Sequence, residues 1–216
     1  METIAPASPD DQREIDPRFP RLTVSDCHKV LRLAHGYAAM ATEDHPPGWD
    51  GLLLYGEGCG AFRMITRPKG WGRCDRYNIG KAVTPDGTIA VVVMQGDAAT
   101  GDPHLRPKTK NPRKVASIAL IERNRQLELF GAEYGAPEVD MTDDPGPIIQ
   151  RLWYFLHYRA GDIVRAELAQ PVSVDEEGHV SAWVERIPVP SLDLAAVPTD
   201  DTDEDGPDID VQVERR

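Results

Sequence analysis

Cysteine, histidine and carboxylate side chains carry most enzyme and metal chemistry, and here they are dispersed. Cys27-His28, Cys59, Cys74 and the scattered histidines lack the close paired spacing of a structural zinc site, so no metal is expected. Gly96-Asp97-Ala98-Ala99-Thr100-Gly101-Asp102 has the look of a phosphate or metal loop, yet it lacks the lysine that a Walker motif places there. An enzyme, of a nucleotide-directed kind, would draw first on Asp97, Asp102 and His104, because polar loops after strands often carry chemistry. No acid/base pair or nucleophilic triad is recognisable, so the expectation leans away from an enzyme, and no cofactor is implied.

A different chemistry is suggested by GAFRMITRPKGWGRCDRYNIGK, Gly60 to Lys81. It sets Arg63, Arg67, Lys69, Arg73, Arg76 and Lys81 against one acid, Asp75, with Phe62, Trp71 and Tyr77 interleaved. Cations track phosphates and aromatic faces stack on bases without sequence-specific geometry. A second basic cluster, Arg106, Lys108, Lys110, Arg113 and Lys114, sits on a Pro-broken loop that could reach a backbone. The expected nucleic-acid contacts are Arg63, Arg67, Lys69, Trp71, Arg73, Arg76, Tyr77, Lys108, Lys110, Arg113 and Lys114. The alternative is that the cations are solvated and the aromatics belong to the core.

The charge balance sharpens this contrast. The net charge of −12 resides mainly at the ends. From Leu192 onward about nine acids face two arginines, the first twenty residues carry roughly −3, and the middle is near neutral. Both ends lack the apolar surface that offsets ordering entropy, so 1–20 and 192–216 are expected to be disordered around one domain, 21–191. A length of 216 residues with 40% hydrophobic content suits such a domain. No apolar run approaches the roughly 20 residues of a membrane helix, and the start lacks a signal-peptide pattern, so a cytoplasmic protein with no membrane partner is expected. Three widely spaced cysteines suit reduced thiols.

These groups must be positioned by local structure. Leu22 to about Thr42 has helical apolar spacing with Thr23 or Ser25 as cap. Leu52–Tyr55 and Ala61–Thr66 look like strands around the turn suggested by Gly56, Gly58 and Gly60. Thr88–Met94 is the strongest strand in the chain. Val115 to about Arg123 predicts a short helix, and Asp144-Pro145 predicts another that runs to Gly161. Asp162–Val174 and His179–Val189 predict a hairpin around Asp175–Gly178. The fold class is α+β, with about five largely antiparallel strands and three helices.

Gln126-Leu127-Glu128-Leu129-Phe130 then stands out. It resembles the short peptide by which bacterial replication and repair proteins bind the sliding clamp, whose pattern is Gln, Leu, Ser or Asp, Leu, Phe. Gln126, Leu127, Leu129 and Phe130 match, and Glu128 is an acidic near-match. The resemblance covers these five residues. It implies that Leu129 and Phe130 enter an apolar cleft while the Gln126 amide anchors a polar rim. Three such side chains give about 5–8 kcal/mol gross, which ordering costs reduce to roughly micromolar affinity. Leu127, Leu129 and Phe130 fit equally well into an edge strand or helix end of the protein's own core.

The expectation is thus a bacterial, phage or plasmid DNA-transaction accessory protein of replication or repair that docks on the clamp and touches nucleic acid through its basic-aromatic surface. Two alternatives stay open: an enzyme built on the Asp97–His104 loop, and a module whose acidic tail binds a basic partner or mimics DNA. Oligomeric state is not legible.

Overall fold

The chain alternates segments buried on one side with segments buried on both, and this dictates a layered arrangement. The computed structural model describes residues 12–130 and 150–196. In chain order the elements are α1 (Val24–Ala38), α2 (Trp49–Thr66), β1 (Gly72–Cys74), β2 (Lys81–Val83), β3 (Ile89–Gln95), α3 (Val115–Phe130), β4 (Arg151–Ala160), β5 (Ile163–Val174) and β6 (Val180–Asp193). The six strands form one sheet in the order β1-β2-β3-β4-β5-β6. Every pairing is antiparallel except β3 with β4, which run parallel from Ile89↔Arg151 to Gln95↔His157. The architecture is α+β, as the sequence pattern predicts, with six strands rather than five.

Helices α1 and α2 cover one face of the sheet. Leu31 and Phe62 pack there on Val91, Val93, Trp153, Phe155 and Leu168. The other face holds Val92, Leu152, Tyr154 and Val180 against Ile121 of α3. Thr23 caps α1 through a capping box with Asp26, the two groups bonding reciprocally at 2.8 and 3.2 Å. No helix among the described residues is long and apolar enough to cross a membrane.

Three expectations about individual elements are corrected. Leu52–Tyr55 and Ala61–Thr66 are not strands; both lie within α2. Its buried residues Leu54, Gly58, Ala61, Phe62 and Thr66 follow a helical stripe that the glycines mask. Gly58 packs closely on the sheet, since a Cβ there would stand 3.0 Å from the Val93 side chain. The third correction is Arg151–Ala160, a strand where a helix is expected. Leu152 to His157 are all buried, the signature of a central strand covered on both faces. Asp144 and Pro145, the expected helix start, lie outside the described residues.

The folded body also extends beyond 21–191. Phe19 and Leu192 belong to the main core cluster, and the Phe19 ring meets Trp153 edge-on at 5.1 Å. Arg18 lies over the same indole and pairs with Asp16 and Glu185 at 2.8 and 2.5 Å. The expectation for residues 1–11 and 197–216 lies outside the described residues.

Helix α3 is fixed at its middle by one side chain. The Asn124 amide is fully buried; it donates to the Leu152 and Pro171 carbonyls at 2.8 and 2.9 Å and accepts from the Leu152 amide at 2.8 Å. Removing it strands three main-chain groups away from water, at about 1–3 kcal/mol each before relaxation. Asn124→Ala is expected to lower the unfolding free energy by about 2–4 kcal/mol, seen as a lower denaturant midpoint with unchanged slope. Asn124→Asp should do no better, because a carboxylate cannot donate to either carbonyl.

Candidate functional site

Strand β2 stops short of β3. The two pair only at Ala82↔Val91 and Val83↔Ala90, so β3 continues alone on that edge from Val92. The next cover is the Lys110 amide, which donates to the Gln95 carbonyl at 2.9 Å. The interval opens as a cleft of about 450 Å³ over Val93, Met94 and Gln95. Gly51 and Tyr55 of α2 form one wall and Tyr77–Ile79 another. Asn111–Lys114 and the first turn of α3, Ala116 and Ser117, close the far side, and His157 of β4 lies at the floor. Ligands of sheets with parallel strands commonly bind at carboxyl ends such as those of β3 and β4.

Local chemistry explains each wall. Tyr77 and Asn78 both adopt left-handed backbone, with φ of 65° and 55°. Such a conformation is uncommon outside glycine and costs about 1–3 kcal/mol unless the surroundings impose it. Here the Asn78 amide donates to the Asp75 carbonyl, Lys81 Nζ donates to the Arg76 carbonyl at 2.8 Å, and the Gly80 amide donates to the Tyr55 hydroxyl at 3.3 Å. The Tyr77 ring sits beneath two cations, Arg76 at 5.3 Å and Lys81 at 5.7 Å.

Across the cleft, α3 begins without a conventional cap. Lys114, whose carbonyl accepts from the Ile118 amide at 3.1 Å, occupies the position where Ser, Thr, Asp or Asn is usual, and the first turn holds no acid. The leading amides therefore present partial positive charge beside two cationic side chains. Arg113 anchors on the Asn111 carbonyl at 2.6 Å while its Nη1 rests on the Met94 sulfur at 2.9 Å, a weak acceptor. Among the described residues no acid lines the cleft.

The floor holds neutral imidazole. His157 is 1% exposed and meets His35 of α1 edge-on at 5.2 Å. His157 Nδ1 and His35 Nε2 are buried without hydrogen-bond partners. Burial, reinforced by His35 and Lys110, holds His157 down to about 3; burial, reinforced by Arg159, holds His35 down to about 4.

The structure separates the basic residues into different roles. From the first cluster Tyr77 lines the cleft and Arg76 lies on its ring; from the second, Arg113 and Lys114 line it and Lys110 stands at the rim. Trp71 is 4% exposed, its Nε1 donating to the Pro20 carbonyl at 3.1 Å, so it has no free face for a base. Arg63 ties α2 to β1 and β2 through the Lys81 and Cys74 carbonyls and Asp75. Lys69 pairs with Asp26, and Lys108 pairs with Asp175 at 2.9 Å. Arg67 and Arg73 are exposed and do not line the cleft.

The clamp-like peptide lies on the last turn of α3, not on a loop. Leu127 is 4% exposed, while Leu129 is 67% exposed, and Glu128 pairs with Arg151 at 2.6 Å. The Phe130 side chain lies outside the described residues. Asp97, Asp102 and His104 do not line the cleft. The carboxylates of Asp97 and Asp102 accept from the Ala99 and His104 amides, shaping turns. Their loop is secured from below by Arg186, which donates to the Asp102 and Leu105 carbonyls and to buried Glu167. Among the described residues no group of three or more His, Cys, Asp or Glu could hold a metal ion.

Sequence reasoning did not pick out Tyr55, Asn78, Ser117 or His157. One signal was available: Arg113-Lys114 directly before a helix places cations where acids are favoured. No protein family, curated protein or solved structure matches the chain.

The histidine pair has a measurable consequence. Both fold with values below the 6.5 of a free imidazole, so between pH 6.5 and 4 the unfolded chain binds more protons. Stability should therefore fall as pH drops through this window. The interval from 6.5 to 5 separates this effect from carboxylates such as Asp75 and Asp86, which are held below 3.8 by their hydrogen bonds to Arg63 and Thr84. Denaturant midpoints of His157→Gln across pH 5–7 should vary less than those of wild type; equal variation would assign the effect elsewhere.

Proposed function

We propose that the chain contacts nucleic acid as an accessory protein of a bacterial, phage or plasmid DNA transaction in the cytoplasm, with the cleft and its basic rim as the contact surface. One observation carries this reading. In a chain of net charge −12, a cavity lined by Arg113 and Lys114, by Tyr55 and Tyr77, and by an uncapped helix start has no acid among its described lining residues. Cations and helix amides attract phosphate, and tyrosine faces accept bases of any identity.

Oligonucleotide binding measured against salt tests this. The double variant Lys110→Ala/Lys114→Ala should weaken single-strand binding about tenfold, and the salt slope should become shallower by roughly 1.4 for two lost phosphate contacts. Trp71→Phe, in the core, should leave both unchanged. An unaltered slope in the double variant would remove the cleft from the binding surface.

A second reading, docking on the sliding clamp, rests on exposed Leu129. Gln126 and Leu129 are three residues apart on α3 and so share its outer face, opposite the buried Asn124 and Leu127. Immobilised clamp should retain wild type and lose about tenfold with Leu129→Ala at unchanged melting temperature. Equal retention of the two proteins would discard this reading.

A further inference from the structure

A strand edge left open within a sheet carries main-chain groups that need a partner. Along β3 the main chain of alternate residues faces β2. The Ile89 carbonyl accepts from the Thr84 amide at 3.0 Å, Val91 pairs with Ala82, and the Gln95 carbonyl accepts from the Lys110 amide at 2.9 Å. Val93 lies between these residues and turns its N–H and C=O to the same edge. By register Gly80 would stand opposite Val93, but the Gly80 amide donates instead to the Tyr55 hydroxyl at 3.3 Å. The Val93 N–H and C=O and the Gln95 N–H thus have no hydrogen-bond partner among the described residues. Both residues line the cleft, and the rest of Val93 is buried. A ligand that completes these bonds recovers what the open edge costs.

The length of the gap selects the occupant. A partner strand would have to run on past Val91 or Gln95, where Ala82 and Lys110 already hold the edge. Those two residues are about 14 Å apart at about 3.4 Å per residue, and only Val93 between them is wholly open. A flat ring with a donor beside an acceptor fits this interval, and every unstacked nucleobase presents such an edge. Tyr55 and Tyr77, on two walls of the cleft, offer faces to the same ring. A volume of about 450 Å³ lies in the range of sites for one small molecule.

We infer that the cleft holds one unstacked nucleobase against the open edge of β3, the Val93 carbonyl accepting a hydrogen bond from the base and the Gln95 amide donating one to it. This inference deepens the nucleic-acid reading and rests on it. Cations and phosphate suffice for that reading, whereas this one requires the hydrogen-bonding edge of a base.

The test measures binding of the full chain to a mixed-sequence single strand of about ten nucleotides and to a strand of equal length whose sites are all abasic. Backbone amide exchange is followed by NMR in each complex and in the free protein. The natural strand is expected to bind about tenfold tighter than the abasic one, and to slow exchange at Val93 and Gln95 about tenfold where the abasic strand does not. Gln95→Pro removes only an N–H that faces the cleft, a position where an edge strand tolerates proline. It is expected to abolish the preference for bases at a melting temperature near that of wild type; if it destabilises the fold, the exchange measurement on wild type decides alone. Equal binding of the two strands, with exchange at Val93 and Gln95 unchanged, overturns the inference and leaves the nucleic-acid reading standing. A preference for bases without slowed exchange at these two amides assigns the base to another surface and likewise overturns it. Full protection of both amides in the free protein overturns it as well, because the edge is then already paired. Absence of binding to either strand overturns both readings.

Discussion

Parallel pairing of β3 with β4 is the constraint from which the rest of the molecule follows. Parallel neighbours cannot be joined by a tight hairpin, so the chain between Gln95 and Arg151 must cross back over the sheet, and α3 lies in that crossover. The two strands are consequently covered on both faces, by α1 and α2 on one and α3 on the other. The pairing ends at Gln95↔His157, the carboxyl end of β3, and the cleft opens there. A sheet made only of hairpins would bring no helix start to that end. Ala116 and Ser117 of α3 come to line a cleft at the end of β3 because of this one pairing.

That pairing was also the hardest feature to read from the sequence. Val91, Val92 and Val93 are β-branched and mark β3 clearly. The run Leu152-Trp153-Tyr154-Phe155-Leu156-His157 has neither the alternation of a half-buried strand nor β-branched residues, and Pro145 upstream favours a helix start. Burial on both faces erases the alternation that would have identified β4. α2 failed for the opposite reason. Glycines at 51, 56, 58 and 60 lower its intrinsic helicity, so its glycine spacing looks like turns. Only Gly58 meets close packing, against Val93 and Ala34. The fold class survived because the two strands lost to α2 are replaced by the short, unexpected β1 and β2, and the helix lost to β4 is replaced by α2, which leaves topology as the level at which the sequence was opaque.

The residues of the candidate cleft stood out in composition but not in place. Two basic clusters stood out in an acidic chain, yet counting charges cannot distinguish cations that face an open cavity from those that staple the fold. Arg63 and Lys69 bind carbonyls and carboxylates of neighbouring elements, and Trp71 fills the core beside Phe62. Tyr77, Arg113 and Lys114 converge because β2 is only three residues long and leaves the edge of β3 open. Strand length is set by the left-handed turn at Tyr77 and Asn78, for which asparagine's tolerance is the only hint in the sequence.

Helix α3 connects the two proposed contacts. Its first turn lines the cleft and its end carries Gln126 to Phe130, about 18 Å away (Ala116 to Glu128 at about 1.5 Å per residue). Asn124 lies between them, bonded to β4 and β5, so it isolates the first turn from events at the last. Extending the last turn into a clamp would withdraw Leu127 from its packing, at about 1.5–3 kcal/mol, and break the exposed Glu128–Arg151 pair, worth about 1 kcal/mol or less. Both losses are of the size that micromolar docking can absorb, and neither reaches past Asn124. A docked last turn would therefore leave the α3 amides, Arg113 and Lys114 in place for a phosphate. Engagement through Leu129 alone, with the helix intact, would disturb them even less. The same helix would thus serve both proposed partners together, because its anchor is at the middle and the proposed contact residues are at the ends.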